Sequence, residues 1–217
     1  MEIQTIKTHF ITISDNLDNI ISRYVLLNAQ ANDIIVLCEK IVSIIQKRVV
    51  YKKDVKLGFW AKFLSKFAMK TPYGFSVGNP YKMQVAINLA GLLRILFASF
   101  LSGLGKLLGV RGIFYRVAGH QISQIDGFYG KAFPQYSELG ILGSKDSDKV
   151  CQELKDKFGF SFVIADVNDL GGNIIGRSND LKNKDKEILA VLKNNPAGQS
   201  NQQTPIVIIK AFKMSDL

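Results

Sequence analysis

Asn195-Pro-Ala-Gly-Gln-Ser-Asn-Gln-Gln-Thr-Pro205, followed at once by Ile206-Val-Ile-Ile-Lys210, reads as a polar loop feeding directly into a strand. Pro205 stops any helix and leads into extended chain, and the apolar run after it reads as a strand. Gly198 lets the backbone approach a ligand closely, while Gln199, Gln202 and Gln203 offer neutral oxygens and amide donors without burying charge. Such a loop suits an anion or a metal; a polar hairpin turn has the same composition.

Upstream of this strand, element types alternate along the whole length. Strand Thr5–Ile13 leads through a capping Ser14-Asp-Asn into helix Leu17–Leu26; strand Asp33–Glu39, a turn at Lys40-Ile-Val-Ser43 and strand Arg48–Tyr51 follow. Helix Phe59–Ala68 sets Phe59, Trp60, Phe63, Leu64 and Phe67 against Lys62, Lys66 and Lys70, the pattern of a surface helix with its aromatic face on the core, although a membrane-surface helix has it too. The apolar run Val85 to Leu108 is interrupted by Asn88, Arg94, Lys106 and three glycines, which argues against a transmembrane span and for a helix Tyr81–Leu89 and a buried strand Leu92–Ala98. Strands are expected at Ile113–Ala118, Ile122–Ile125 and Phe160–Ala165, and helices at Lys149–Phe158 and Lys184–Lys193. With no repeat, linker or low-complexity tract, residues 1–217 read as one α+β domain, with mixed sheets and flanking helices.

The 217 residues are 47% hydrophobic, enough for a substantial core. Cys38 and Cys151 lie in apolar or helical patterns without CxxC spacing, as in reduced cytoplasmic proteins, and the N-terminus lacks the basic and apolar regions of a signal peptide. A net charge of +10 attracts anions, but its lysines are dispersed and no nucleic-acid-binding motif accompanies them, so no dedicated nucleic-acid partner is expected. Gly103-Leu-Gly-Lys-Leu-Leu-Gly109 lacks Walker spacing, and neither His9 nor His120 has a nucleophile in a hydrolase motif.

Two aspartates stand out, each expected to close an apolar strand before a glycine-containing loop. Asp126 ends Ile122-Ser-Gln-Ile-Asp126, and Asp166 ends Phe162-Val-Ile-Ala-Asp166. Carboxylates held by a sheet suit Mg²⁺ or Mn²⁺, which complete their shells with water and phosphate; turn capping is the plainer use of either residue.

These pieces together resemble the coenzyme F420-0:L-glutamate ligase family. Asp33-Ile-Ile-Val-Leu-Cys-Glu-Lys-Ile-Val-Ser43 is similar to the family's D-x-(apolar)₃-x-[QE]-K-I-V-S block, and Asp126 and Asp166 resemble its two metal-binding aspartates. Gly198-Gln-Ser-Asn-Gln-Gln-Thr-Pro-Ile-Val-Ile-Ile-Lys210 runs in register with G-Q-A-D-E-G-x-P-(apolar)₄-R. The resemblance implies a γ-glutamyl ligase that uses GTP and Mn²⁺ or Mg²⁺, takes a small carboxylate acceptor such as coenzyme F420-0 and L-glutamate, and works as a homodimer. It implies that Glu39 and Lys40 approach GTP, that Gly198, Gln199, Ser200, Asn201, Gln202, Gln203 and Thr204 wrap the nucleotide, and that Asp126, Asp166 and Gln199 hold metal. Lys40, Asp126 and Asp166 are thus the residues expected to carry catalysis. The chain departs from the family pattern at Ile44 (lysine there), Tyr129 (asparagine), Val167 (threonine) and Asn201-Gln202 (Asp-Glu). A non-catalytic nucleotide- or phosphate-binding protein of the same fold is the alternative that these departures suggest.

Overall fold

Ile34–Cys38 (β2) is the central strand of a five-stranded sheet, and its apolar run is explained by cover on both faces. The structure is a computed structural model that describes residues 2–68, 77–110, 112–128, 136–168, 171–198 and 202–210. The chain divides into two compact units, one formed by Met1–Arg48 with Ser144–Leu217 and the other by Val49–Gly143.

In the first unit the strand order is β1 (Ile3–Ile6), β8 (Ile206–Ile209), β2, β6 (Ser161–Asn168) and β7 (Gly171–Arg177). Only β2 and β6 are parallel, in register from Ile34 opposite Ser161 to Cys38 opposite Ala165; the other pairings are antiparallel. One face packs Ile35, Leu37, Ile164 and Ile208 against α1 (Leu17–Ile20) and the π-helical turn after it, α2 (Glu39–Ile45) and α8 (Ser147–Phe158). The other packs Val36, Val163, Ala165 and Val207 against α9 (Asp185–Leu192). Each fully buried aliphatic side chain contributes roughly 1.5–3 kcal/mol, so this double-sided sheet carries the unit's stability.

The second unit holds a three-stranded antiparallel sheet ordered β3 (Val49–Tyr51), β5 (Leu139–Ile141), β4 (Asp126–Gly127). Its helices are α3 (Phe59–Ser65), α4 (Pro80–Ala90), α5 (Leu92–Leu107), α6 (Ile113–Ala118) and α7 (His120–Ser123), around a core that includes Met83, Ile95, Ala98, Ile122 and Phe128. Asn79 caps α4 through its side chain, with Pro80 at the first helical position. Gly105 lets α6 close on α5, because a Cβ there would lie 2.0 Å from the Ile113 side chain.

The α+β expectation holds, and several elements differ from their sequence reading. Leu92–Ala98, Ile113–Ala118 and residues 122–123 are helical, not strands, and Lys40–Ser43 is helix, not turn. The first strand stops at Ile6. The aromatic face of α3 does not pack on the core: Phe59, Trp60, Phe63 and Phe67 are exposed, while Ala61 and Ser65 are buried. Among the described residues no single helix is long and apolar enough to cross a membrane; α4 and α5 pass that test only as a pair, and they bend by 118° at Gly91.

Candidate functional site at the carboxyl end of the parallel strands

In a sheet with parallel neighbours, the crevice beyond the strands' carboxyl ends is where ligands bind, because loops diverge there and leave backbone and side chains uncovered. The β2–β6 pair supplies that end in the first unit. Cys38 closes β2 in extended conformation and the chain turns directly into α2, which places Glu39 and Lys40 at the strand's exit. Across the pair stand Ala165, opposite Cys38, and then Asp166.

Asp166 is the sixth of eight residues of β6, opposite Asn173 of β7, so it is not at a strand end as the sequence suggests. Its side chain is exposed because the sheet's cover stops short of it. Burial pushes the Cys38 thiol above its ordinary value; the Lys40 ammonium and backbone amide pull it down, and the negative charges of Asp166 and Glu39 push it up further. Lys40, Glu39 and Asp166 are therefore within Coulombic reach of one sulfur.

Glu39 is buried and serves as a tie. Its Oε1 accepts hydrogen bonds from the Ser144 amide at 2.9 Å and hydroxyl at 3.1 Å, and the Ser144 hydroxyl meets that of Ser147 at 2.7 Å. Two turns on, Gln46 and Lys145 exchange two bonds of 2.8 Å between the Gln46 carboxamide and the Lys145 backbone. These bonds fix α2, and Lys40 with it, against the start of α8. Ile44, where the family pattern has lysine, is buried in α2.

The C-terminal loop closes over the opposite face of the same strand ends. A shallow, open-mouthed apolar depression is walled by Val36 and Cys38 of β2, Ala165 and Val167 of β6, Leu192 of α9, and the loop's Asn195-Pro-Ala197 and Pro205. The loop is held by Cys38 N–H to Pro205 O at 2.9 Å, Thr8 N–H to Gln203 O at 3.0 Å and Thr204 Oγ1 to Ala197 O at 2.7 Å. Gly198 has φ +73°, and a Cβ there would lie 2.7 Å from the Gln202 carboxamide carbon, so glycine is required by the loop's own shape. Gln199, Ser200 and Asn201 lie outside the described residues.

Asp126 belongs to the second unit. It sits in β4, not at the end of a longer strand, with its Oδ1 accepting from the Gly127 amide at 3.0 Å and lying 3.6 Å from Nζ of the fully buried Lys82. A buried ammonium needs such a carboxylate, which gives Asp126 a structural purpose. Among the described residues no group of three or more His, Cys, Asp or Glu side chains is assembled to hold a metal. Asp166 alone still fits a hard divalent cation of the Mg²⁺ type, which binds through one or two carboxylates and keeps water and phosphate in its shell.

A family model described as F420-0:gamma-glutamyl ligase matches residues 5–157. The chain belongs to this family. Membership supports a γ-glutamyl ligase of the F420 pathway, acting on small molecules. The match takes in the 33–43 block and Asp126 and ends before Asp166 and the C-terminal loop. No curated protein matches the chain significantly.

The tie from Glu39 to Ser144 spans 105 residues and had no local signal. Cys38 lines the depression because it is the last residue of a central strand, just before a charged pair.

Proposed function

We propose that this γ-glutamyl ligase uses GTP and a divalent metal, Mn²⁺ or Mg²⁺, to join L-glutamate to a carboxylate acceptor such as coenzyme F420-0. The observation that supports the reading is that Lys40 and Asp166 both stand at the carboxyl end of the parallel β2–β6 pair, to which the C-terminal loop is tied through the Cys38 amide. The acceptor carboxylate attacks the γ-phosphorus of GTP, GDP leaves, and an acyl phosphate forms; the α-amine of glutamate then attacks the acyl carbon, and phosphate leaves as the amide forms. Lys40 clamps the phosphates and offsets the charge that builds on their oxygens. A metal held by Asp166, and by Gln199 of the loop, would supply further positive charge to those oxygens. Gly198 and residues 199–204 would close over the nucleotide. No side-chain nucleophile is needed.

Incubation with GTP, Mn²⁺, L-glutamate and F420-0 tests this reading, with GDP and the glutamylated product followed together. Equal release of both is expected; GTP left intact with every acceptor tried overturns the ligase. Cys38 reports the site independently, since GTP with Mn²⁺ should slow its alkylation, and unchanged alkylation in the presence of bound nucleotide removes the depression from the site. Homodimerisation is part of the same proposal and is read by light scattering.

Buried Ile44 and the engaged Glu39 favour a second reading, a nucleotide binder that does not turn over. Saturable metal-dependent GTP binding with no GDP produced would distinguish it.

A further inference from the structure

The net charge of +10 is not spread over the molecule. Residues 49–143 hold twelve Lys and Arg against three Asp and Glu, a net +9, and residues 55–125 contain nine cations and no acid at all. The second unit therefore carries nearly all of the excess, whereas the first is close to neutral.

The same unit exposes apolar surface in an ordered way. Among the described residues seventeen large hydrophobic side chains are exposed, and of these only Phe10, Ile13, Leu26 and Leu27 belong to the first unit. On α5, Leu93, Phe97, Phe100, Leu104 and Leu107 recur at alternating spacings of four and three and are 82%, 57%, 63%, 43% and 85% exposed. At 100° per residue they fall within one narrow stripe, and Ile95, Ala98 and Gly105 on the other side are buried against the unit's core. A second set, Phe59, Trp60, Phe63 and Phe67, is exposed on and just after α3, beside exposed Lys62 and Lys66. A contiguous stripe of this kind on a soluble surface marks a docking face.

We propose that the second unit docks on an anionic lipid surface, burying the apolar stripe of α5 and the aromatic residues of α3 at the headgroup boundary. Charge decides the occupant. A second copy would bring two units of +9 together with no acidic side chain between 55 and 125 to offset the repulsion, which disfavours that face as a seam between copies. Nucleic acid would satisfy the cations and leave the Leu and Phe stripe in water. An anionic bilayer satisfies both, since the apolar residues enter the acyl boundary while lysines such as Lys62, Lys66 and Lys106 remain among the phosphates. The 118° bend between α4 and α5 suits helices lying on a surface rather than crossing it. This inference is independent of the ligase reading: failure of docking leaves nucleotide binding untouched, and the reverse.

Flotation of the full chain with vesicles tests it, using phosphatidylcholine alone or mixed equally with phosphatidylglycerol. Trp60 is the chain's one tryptophan and serves as a native reporter. The protein is expected to float with the anionic vesicles only, with a blue shift of Trp60 emission, and to be released at about 1 M salt, where the screening length falls to roughly 3 Å. Phe97→Glu with Phe100→Glu should reduce the floated fraction roughly tenfold without lowering the melting temperature, because both side chains are already in water. Lys62→Glu with Lys66→Glu, which replaces only exposed groups, should weaken flotation similarly. Equal flotation with neutral vesicles, undiminished flotation of both double variants, or an unshifted Trp60 in floated protein overturns the proposal. So does light scattering that finds a dimer converted to monomer by Phe97→Glu with Phe100→Glu and no vesicle binding, which assigns the face to a second copy.

Discussion

Nζ of Lys210 lies 3.3 Å from Oδ2 of Asp33, joining the first residue of the D-x-(apolar)₃ block to the last residue of the C-terminal block across antiparallel β2 and β8. Asp33 is almost fully buried and also accepts the Gln30 amide at 2.9 Å, while Lys210 donates a second bond to the Asn28 carbonyl. Two residues that the family pattern sets more than 170 positions apart thus serve one purpose, which is to fix the register of the strands that carry the site.

Lys210→Met should destabilise the protein by about 3 kcal/mol, because it strands a buried carboxylate with its strongest counter-charge gone. Chemical denaturation measures it. GTP affinity should be unchanged in the folded protein, and an unaltered denaturation midpoint would remove the pair from the account of stability.

Asp126→Asn should also be a stability variant. It leaves the ammonium of fully buried Lys82 without the carboxylate at 3.6 Å, a loss of about 3 kcal/mol, and Lys82→Met in the same background should restore part of it. A melting temperature equal to the parent's would return Asp126 to consideration as a dedicated ligand residue.

Asp180 sets a boundary at low pH. Burial alone would raise its pKa, but hydrogen bonds from Ser161 and Ser178 and the Lys155 ammonium at 3.0 Å outweigh it and hold the carboxyl at about 2. Since the folded value lies below the unfolded one of about 3.9, the stabilisation is fully present above pH about 4 and is lost as pH falls toward 2. Asp180→Asn should flatten the acid limb of a stability-versus-pH curve in that window; an identical limb would refute the assignment.

Gly198→Ala should lower stability by about 1 kcal/mol or more, through its positive φ and the approach of the Gln202 side chain. Its scaffolding purpose does not conflict with a nucleotide beyond it, so Gln199→Ala is the informative partner. It should weaken GTP binding and leave the melting temperature alone, whereas the reverse pattern would make the loop a turn and nothing more.

The two motif strands were legible because both are buried on both faces, so Asp33–Glu39 and Ile206–Lys210 could be read as continuous apolar runs. The same rule misread Leu92–Ala98, where apolar residues at positions 93 and 97 face outward and 95 and 98 inward, a helical division that a strand reading cannot see. β7 was missed because Gly171-Gly-Asn-Ile-Ile-Gly-Arg177 has neither alternation nor a β-branched run and is held by its pairing with β6. Gly112 and Gly119, at φ +80° and +113°, bound α6 and were the available sign that Ile113–Ala118 is a short helix. Of the site, Lys40 and Asp166 could be picked out by residue type, yet their common position at one sheet end depends on the parallel pairing of β2 with β6, a contact between distant segments. The charge asymmetry was fully present in the sequence; counting lysines without noticing the missing acids concealed it.

Titration calorimetry of GTP into the parent protein, Lys40→Ala and Asp166→Asn, each with and without Mn²⁺, tests most directly whether the carboxyl end of β2 and β6 is the nucleotide site. The parent should bind GTP only with the metal present, and each variant should lose at least about tenfold in affinity, roughly 1.4 kcal/mol, at an unchanged melting temperature. Parent-like binding by both variants would contradict the account and place the nucleotide elsewhere on the chain.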